Sequence, residues 1–186
     1  MRDLVTLSVK LAAMMLIAAL CLGATNMITA GPIQTQERRL AEAARSEVLP
    51  GAEGFEAFDL PQAPASIVGA YRSTGGVDGY VFEVSTSGFG GAMGVTVGIA
   101  QDGTVSGVRV GTHSETPGLG SKSTDESFYG QYAGKAAMGD ALSVVKRAPK
   151  DNEIQAITAA TITSRAVTGA VNDAMEAYKA AIGGAQ

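Results

Sequence analysis

Tryptophan is absent from the 186 residues, and cysteine and histidine occur once each, as Cys21 and His113. One cysteine excludes an internal disulfide, and one cysteine with one histidine excludes a Cys/His zinc site or an iron–sulfur cluster held by this chain alone. Aromatic residues make up only 5% of the chain. With a net charge of −4 and a pI near 5.0, there is no basic stripe interleaved with aromatics, and nucleic acid is excluded as a partner. Internal repeats and low-complexity tracts are also missing. Any redox centre must therefore be brought in from outside.

Charge is missing locally as well. No charged residue lies in residues 11–36, and the first part, Leu11 to Leu22, is almost wholly apolar. A membrane span of about 20 residues fits there. A cleaved signal peptide is the rival, because Arg2 and Lys10 make a basic leader, but Ile28-Thr29-Ala30 is a poor cleavage site. Leu20 precedes Cys21 where a lipid-attachment site wants a small residue. An uncleaved anchor is expected, with residues 1–36 forming a cytoplasmic tip and transmembrane helix. Flanking charges do not settle orientation, since Arg2 and Lys10 face Arg38, Arg39 and Arg45. A lone N-terminal anchor with a long polar domain behind it generally exports that domain.

Residues 37–65 read as a juxtamembrane segment. Glu37 to Leu49 suits a short amphipathic helix stopped by Pro50-Gly51, followed by an irregular connection through Pro61 and Pro64. Residues 66–186 form the expected domain. Tyr80, Phe82 and Val84 alternate with polar or smaller neighbours, as do Val95, Val97 and Ile99, so both runs read as strands. Asp102-Gly103 beyond Ile99 predicts a hairpin with a type I′ turn. Ser87-Gly88-Phe89-Gly90-Gly91 lacks the Lys and the helix of a phosphate loop and reads as a flexible strand connection. Ser123 to Glu126 has capping-box spacing, predicting a short helix with Phe128, Tyr129 and Tyr132. Two short strands follow, at 141–145 and 154–158. A last helix places Val167, Val171, Ala174, Tyr178 and Ile182 on one face and stops at Gly183-Gly184. Strands grouped first and helices at the ends give an α+β fold with an antiparallel, hairpin-containing sheet.

Chemistry concentrates in two segments. Gln155-Ala156-Ile157-Thr158-Ala159-Ala160-Thr161-Ile162-Thr163-Ser164 brings a strand ending in threonines to a helix start. Side-chain hydroxyls and unpaired N–H groups there converge on a point that suits a phosphate. An ordinary helix cap is the plainer alternative and needs no ligand. The second segment is His113-Ser114-Glu115-Thr116-Pro117-Gly118-Leu119-Gly120. Pro117-Gly118 signals a tight turn, and His113 by itself reads as structural.

Taken together, these strings resemble the FMN-binding domains of two related membrane proteins, the G subunit of the Rnf electron-transport complex and the C subunit of the sodium-pumping NADH:quinone reductase. Thr158-Ala159-Ala160-Thr161 followed by Thr163-Ser164 is similar to the flavinylation motif, Asp-x-x-(Ser/Thr)-Gly-Ala-Thr. Gln155 stands here at the family's Asp, and Ala159 at its usual Gly. His113 to Gly120 resembles the family's His-x-Glu-Thr-Pro-Gly-Leu-Gly loop, and the Gly88-Phe89 segment its Gly-aromatic-x-Gly stretch. The resemblance implies FMN bound covalently through its phosphate to Thr161 and installed by a separate flavin transferase. Thr158, Ala160, Thr163 and Ser164 would surround the attachment point, and Glu115, Thr116, Pro117, Gly118, Leu119 and Gly120 would line the flavin. It further implies an electron-transfer subunit of an ion-translocating oxidoreductase, partnered by the other Rnf membrane subunits, single-pass in a bacterial membrane with the FMN domain on the extracytoplasmic side. The chain's modest length favours the Rnf protein over its quinone-reductase counterpart. A non-redox, membrane-tethered binding module is the alternative from a different class.

Overall fold

The computed structural model describes residues 2–183, in two compact units, Met1–Glu42 and Ala43–Gln186. The first unit is helical, the greater part of α1, which runs over Arg2–Val48 without a break at Pro32. The anchor and the amphipathic segment expected as separate helices are one element. Only Gly31-Pro32 stands between them, and a proline removes one i→i−4 bond without removing the helix when the rest of the sequence favours it. Leu11, Leu16, Ile17, Leu20, Leu22 and Ile28 all expose more than half their surface. The helix is long and apolar enough to cross a membrane.

In the second unit a five-stranded antiparallel sheet has its strands in sequence order: β1 (Phe55–Ala57), β2 (Ile67–Ser73), β3 (Gly79–Ser87), β4 (Ala92–Ala100) and β5 (Val105–Val110). Phe82 pairs with Val97 and Val84 with Val95, so the period-2 apolar sets of β3 and β4 share one face. That face is covered by α3 (Thr161–Gly183), whose buried Val167, Val171, Ala174, Met175 and Tyr178 complete the main core. Between sheet and helix the chain makes a 3₁₀ turn (Gly120–Thr124), the single-turn α2 (Glu126–Tyr129), a second 3₁₀ turn (Gly130–Tyr132), and the parallel pair β6 (Ser143–Val145) and β7 (Glu153–Gln155). The architecture is α+β, as the pattern implies.

Three local expectations need correction. Gly103 has φ +81° but Asp102 does not have positive φ, and the Gly103 N–H bonds to the Ala100 carbonyl. The turn is therefore a type I turn closed by a left-handed glycine, with a register shift at Gly98/Ile99, not type I′. The capping box at Ser123 does not form: α2 starts at Glu126, and the Ser123 hydroxyl is buried without a partner. The strand expected over 154–158 ends at Gln155, because residues 157–160 form a turn of their own.

The sheet's second face is not bare. Val48 and Leu49 pack on Val81, the Arg45 guanidinium lies 3.6 Å from the Tyr71 ring centroid, and Arg45 pairs with Glu83 at 2.9 Å. Glu47 pairs with Arg109. This close approach requires Gly98, where an added Cβ would overlap the Val48 carbonyl oxygen. Gly98→Ala should therefore destabilise the full chain by about 1–3 kcal/mol, an overpacking cost. Gly94→Ala, in the same strand with nothing within 4 Å of its Cβ position, should leave thermal unfolding in detergent almost unchanged. Equal midpoints for the two variants would contradict the close contact.

Candidate functional site

The hydroxyl-rich segment folds as a turn entering a 23-residue helix. Ser164 is fully buried, and its hydroxyl accepts from the Ile157 N–H at 2.9 Å and donates to the Ala160 carbonyl at 2.9 Å. One side chain thus closes the turn from inside the helix that follows. The Thr168 hydroxyl, which donates to the Ser164 carbonyl at 2.9 Å, meets the Tyr132 hydroxyl at 2.8 Å. Burial pushes the Tyr132 phenol well above its ordinary pKa, with only partial relief from Thr168, so it stays neutral.

Ala159 occupies this turn at φ +63°, the one non-glycine residue with positive φ among the described residues. Its Cβ makes that conformation costly. Ala160, buried, gives its carbonyl to the Ser164 N–H at 3.0 Å. Thr161 then opens α3. Its side chain is half-buried, and its hydroxyl has no hydrogen-bond partner among the described residues. The N–H groups of Thr161, Ile162 and Thr163 have no backbone acceptor either. A long helix start with three free donors concentrates partial positive charge around the Thr161 hydroxyl, which suits a phosphate ester.

Thr163 points the other way. It is buried, and its hydroxyl donates to Glu115 Oε2 at 2.7 Å. The other carboxylate oxygen, Oε1, accepts the Gly90 N–H at 3.0 Å. Burial by itself would raise the Glu115 pKa. The hydrogen bonds from Thr163 and Gly90, with the Phe89 N–H and His113 nearby, outweigh it and hold the carboxyl below the usual range, so Glu115 is ionised near neutrality. No side-chain room is left around it, since a Cβ on Gly88 or Gly120 would overlap its oxygens. His113 Nδ1 accepts the Glu115 N–H at 3.3 Å, a loop-holding role.

Of the residues singled out from sequence, Glu115, Gly120 and Thr163 meet directly, and Ala160 and Ser164 fix the turn before Thr161. Thr116, Pro117, Gly118 and Leu119 are exposed. Gly118 has φ +76°, and the Leu119 N–H bonds to the Thr116 carbonyl at 3.1 Å, a type II turn. Thr158 is exposed and lines an open groove of about 270 Å³ with Gln155, Ile157, Phe128, Asp125 and Lys122. From sequence the residue 87–91 stretch read as a flexible strand connection. What it brings to the site is the Gly90 N–H, a backbone group that no residue identity announces; the crowding that demands glycine was the available signal. Phe128 packs in the core against Tyr132, and Tyr129 lies under Arg109.

Residues 88–176 match the FMN-binding domain family, a stretch that includes both the Glu115 loop and Thr161. The chain is 38% identical over 179 residues to the G subunit of the Na⁺-translocating ferredoxin:NAD⁺ oxidoreductase complex of Acetobacterium woodii, covering 88% of this chain and 86% of that one. It belongs to the FMN-binding domain family. The corresponding G subunit of the proton-translocating ferredoxin:NAD⁺ oxidoreductase complex of Clostridium ljungdahlii is 44% identical over 105 residues, 56% of each chain. Among solved structures, the C subunit of the Na⁺-translocating NADH-quinone reductase of Parabacteroides distasonis shares the fold. Its TM-score is 0.54 at 21% identity, over 60% of this chain and 61% of that one.

The left-handed Ala159 yields a direct test. Ala159→Gly removes the Cβ penalty and should stabilise the full chain by about 0.5–1 kcal/mol, the left-handed cost less glycine's extra entropy. Thermal unfolding in detergent measures it. A variant with a lowered midpoint would show that the turn is not strained at this residue.

Proposed function

We propose that this chain carries FMN joined through its phosphate to the Thr161 hydroxyl, and that it relays electrons as the membrane-anchored G subunit of an Rnf-type ion-translocating complex. The observation that carries the reading is Thr161 itself, a half-buried hydroxyl without a partner among the described residues, at the first position of a long helix whose first N–H groups are free. Its neighbours Thr163 and Ser164 are both committed to internal hydrogen bonds. Thr158, which is exposed, lines the groove beside Gln155 and Ile157.

No histidine or lysine lies beside Thr161 in sequence, so activation of its hydroxyl falls to a separate flavin transferase. In that step the Thr161 oxygen attacks the FMN-side phosphorus of FAD. The new oxygen–phosphorus bond forms, the pyrophosphate bond breaks, AMP leaves, and the hydroxyl proton passes to the transferase; no electrons change hands. The bound flavin then supplies one- and two-electron chemistry through a ring left unaltered by attachment at the phosphate. The helix start holds the phosphate, and the loop of residues 115–120, stiffened by Pro117, offers a backbone surface to the ring. Apolar α1 anchors the chain, and the soluble unit lies on the extracytoplasmic side, within reach of the complex's other membrane subunits. The two ferredoxin:NAD⁺ oxidoreductase relatives name different ions, Na⁺ and protons.

The test is in-gel flavin fluorescence after denaturing electrophoresis of the full chain from a host containing the transferase. Thr161→Ala should be folded and dark, while Thr158→Ala should keep its fluorescence. The Thr161 hydroxyl acting only as a cap would contribute about 0.5–2 kcal/mol, too little to unfold the domain. Fluorescence surviving in Thr161→Ala would overturn the reading, and a dark wild-type chain would favour the tethered binding module.

A further inference from the structure

We infer that Glu115 is a positioning residue for flavin attachment: its carboxylate joins the residue 88–91 loop to the first turn of α3 and sets the rotation at which that turn presents Thr161. The inference rests on Thr161 being the acceptor.

Burying an ionised carboxylate costs several kcal/mol unless donors replace its water, and among the described residues no lysine or arginine is paired with this one. The donors here come from two segments distant in sequence, Gly90 on the β3–β4 loop and Thr163 on α3. A third segment supplies Glu115, and Gly88 and Gly120 leave the space for it. Consecutive helical residues are about 100° apart around the axis, so Thr161 lies about 200° from Thr163. Tying Thr163 inward to Glu115 therefore turns Thr161 outward. On its other flank Ser164 fixes the turn of residues 157–160, so rotation of the helix start is held from both sides. Loss of the Glu115 bond releases one of these two restraints and leaves the sheet and α3 core packing in place. Attachment needs the hydroxyl in line with a phosphorus atom, and a displacement of an ångström in such a geometry costs rate steeply.

The experiment uses the full chain in detergent, purified without flavin from a host lacking the transferase, then mixed with transferase and FAD. Initial rates of covalent flavin formation are measured. Glu115→Gln and the isosteric Thr163→Val should each lower kcat by about tenfold or more through misplacement of the hydroxyl, with KM for the chain unchanged. Thr163→Ser, which keeps the donor, should restore the rate. Combining Glu115→Gln with Thr163→Val should be no worse than the slower single variant, because both remove one interaction. Ser66→Ala, which breaks the hydrogen bond to Asp173 at 2.6 Å, controls for a general loss of stability and should keep the wild-type rate. Wild-type kcat in Glu115→Gln and Thr163→Val would overturn the inference, and so would an equal loss in Ser66→Ala. Failure of the acceptor reading is separately visible, because Thr161→Ala would then be labelled as fast as the wild type.

Discussion

The Glu115 carboxylate is the constraint on which the candidate site depends. Thr163 donates to it at 2.7 Å and Gly90 at 3.0 Å, so three stretches far apart in sequence converge on two oxygen atoms. A buried anion with no bonded cation is stable only when its donors are complete. Glycine at 88 and 120 follows from the crowding, and the burial of Thr163 follows from its bond. What is left over is Thr161, turned outward without a partner among the described residues. The site is thus an outcome of charge satisfaction inside the domain, and the outward hydroxyl is its consequence.

Below the site the scaffold is ordinary. A five-stranded meander presents Phe82, Val84, Val95, Val97 and Ile99 to α3, and the apolar stripe of α3 covers them. The other face is partly covered where Val48 and Leu49 meet Val81, with Gly98 allowing the backbone to come close. A sheet held on both faces is a rigid base for β3, β4 and the loop between them, which is where the Gly90 donor to Glu115 originates. The turn before α3 holds Ala159, the one non-glycine residue with positive φ among the described residues.

Much of this was legible in the residues. Alternation in β3 and β4 and the three-to-four spacing in α3 are dictated by burial, so periodicity finds them. Pro117-Gly118 announced a tight turn because proline and glycine restrict the options, and the structure makes it type II. Other features were hidden for physical reasons. The α1 helix continues through Pro32, since one missing bond does not outweigh the helix on either side. Asp102-Gly103 closes a type I turn with a bulge because only Gly103 takes positive φ. The Gly90 donor is a backbone group, and a backbone N–H has no letter in the sequence. That Thr163 faces inward and Thr161 outward depends on where Glu115 folds, which local pattern cannot state.

The central claim is chemical and has a direct readout. Trypsin cleaves after Lys150 and Arg165, so the candidate hydroxyls at 158, 161, 163 and 164 fall in a single peptide. Tandem mass spectrometry of that peptide, from the full chain made in a host with the flavin transferase, locates any addition to one side chain. The account predicts the mass of FMN, bound as a phosphoester, on Thr161. The same mass on Thr158 or Thr163, or an unmodified peptide throughout, would contradict it.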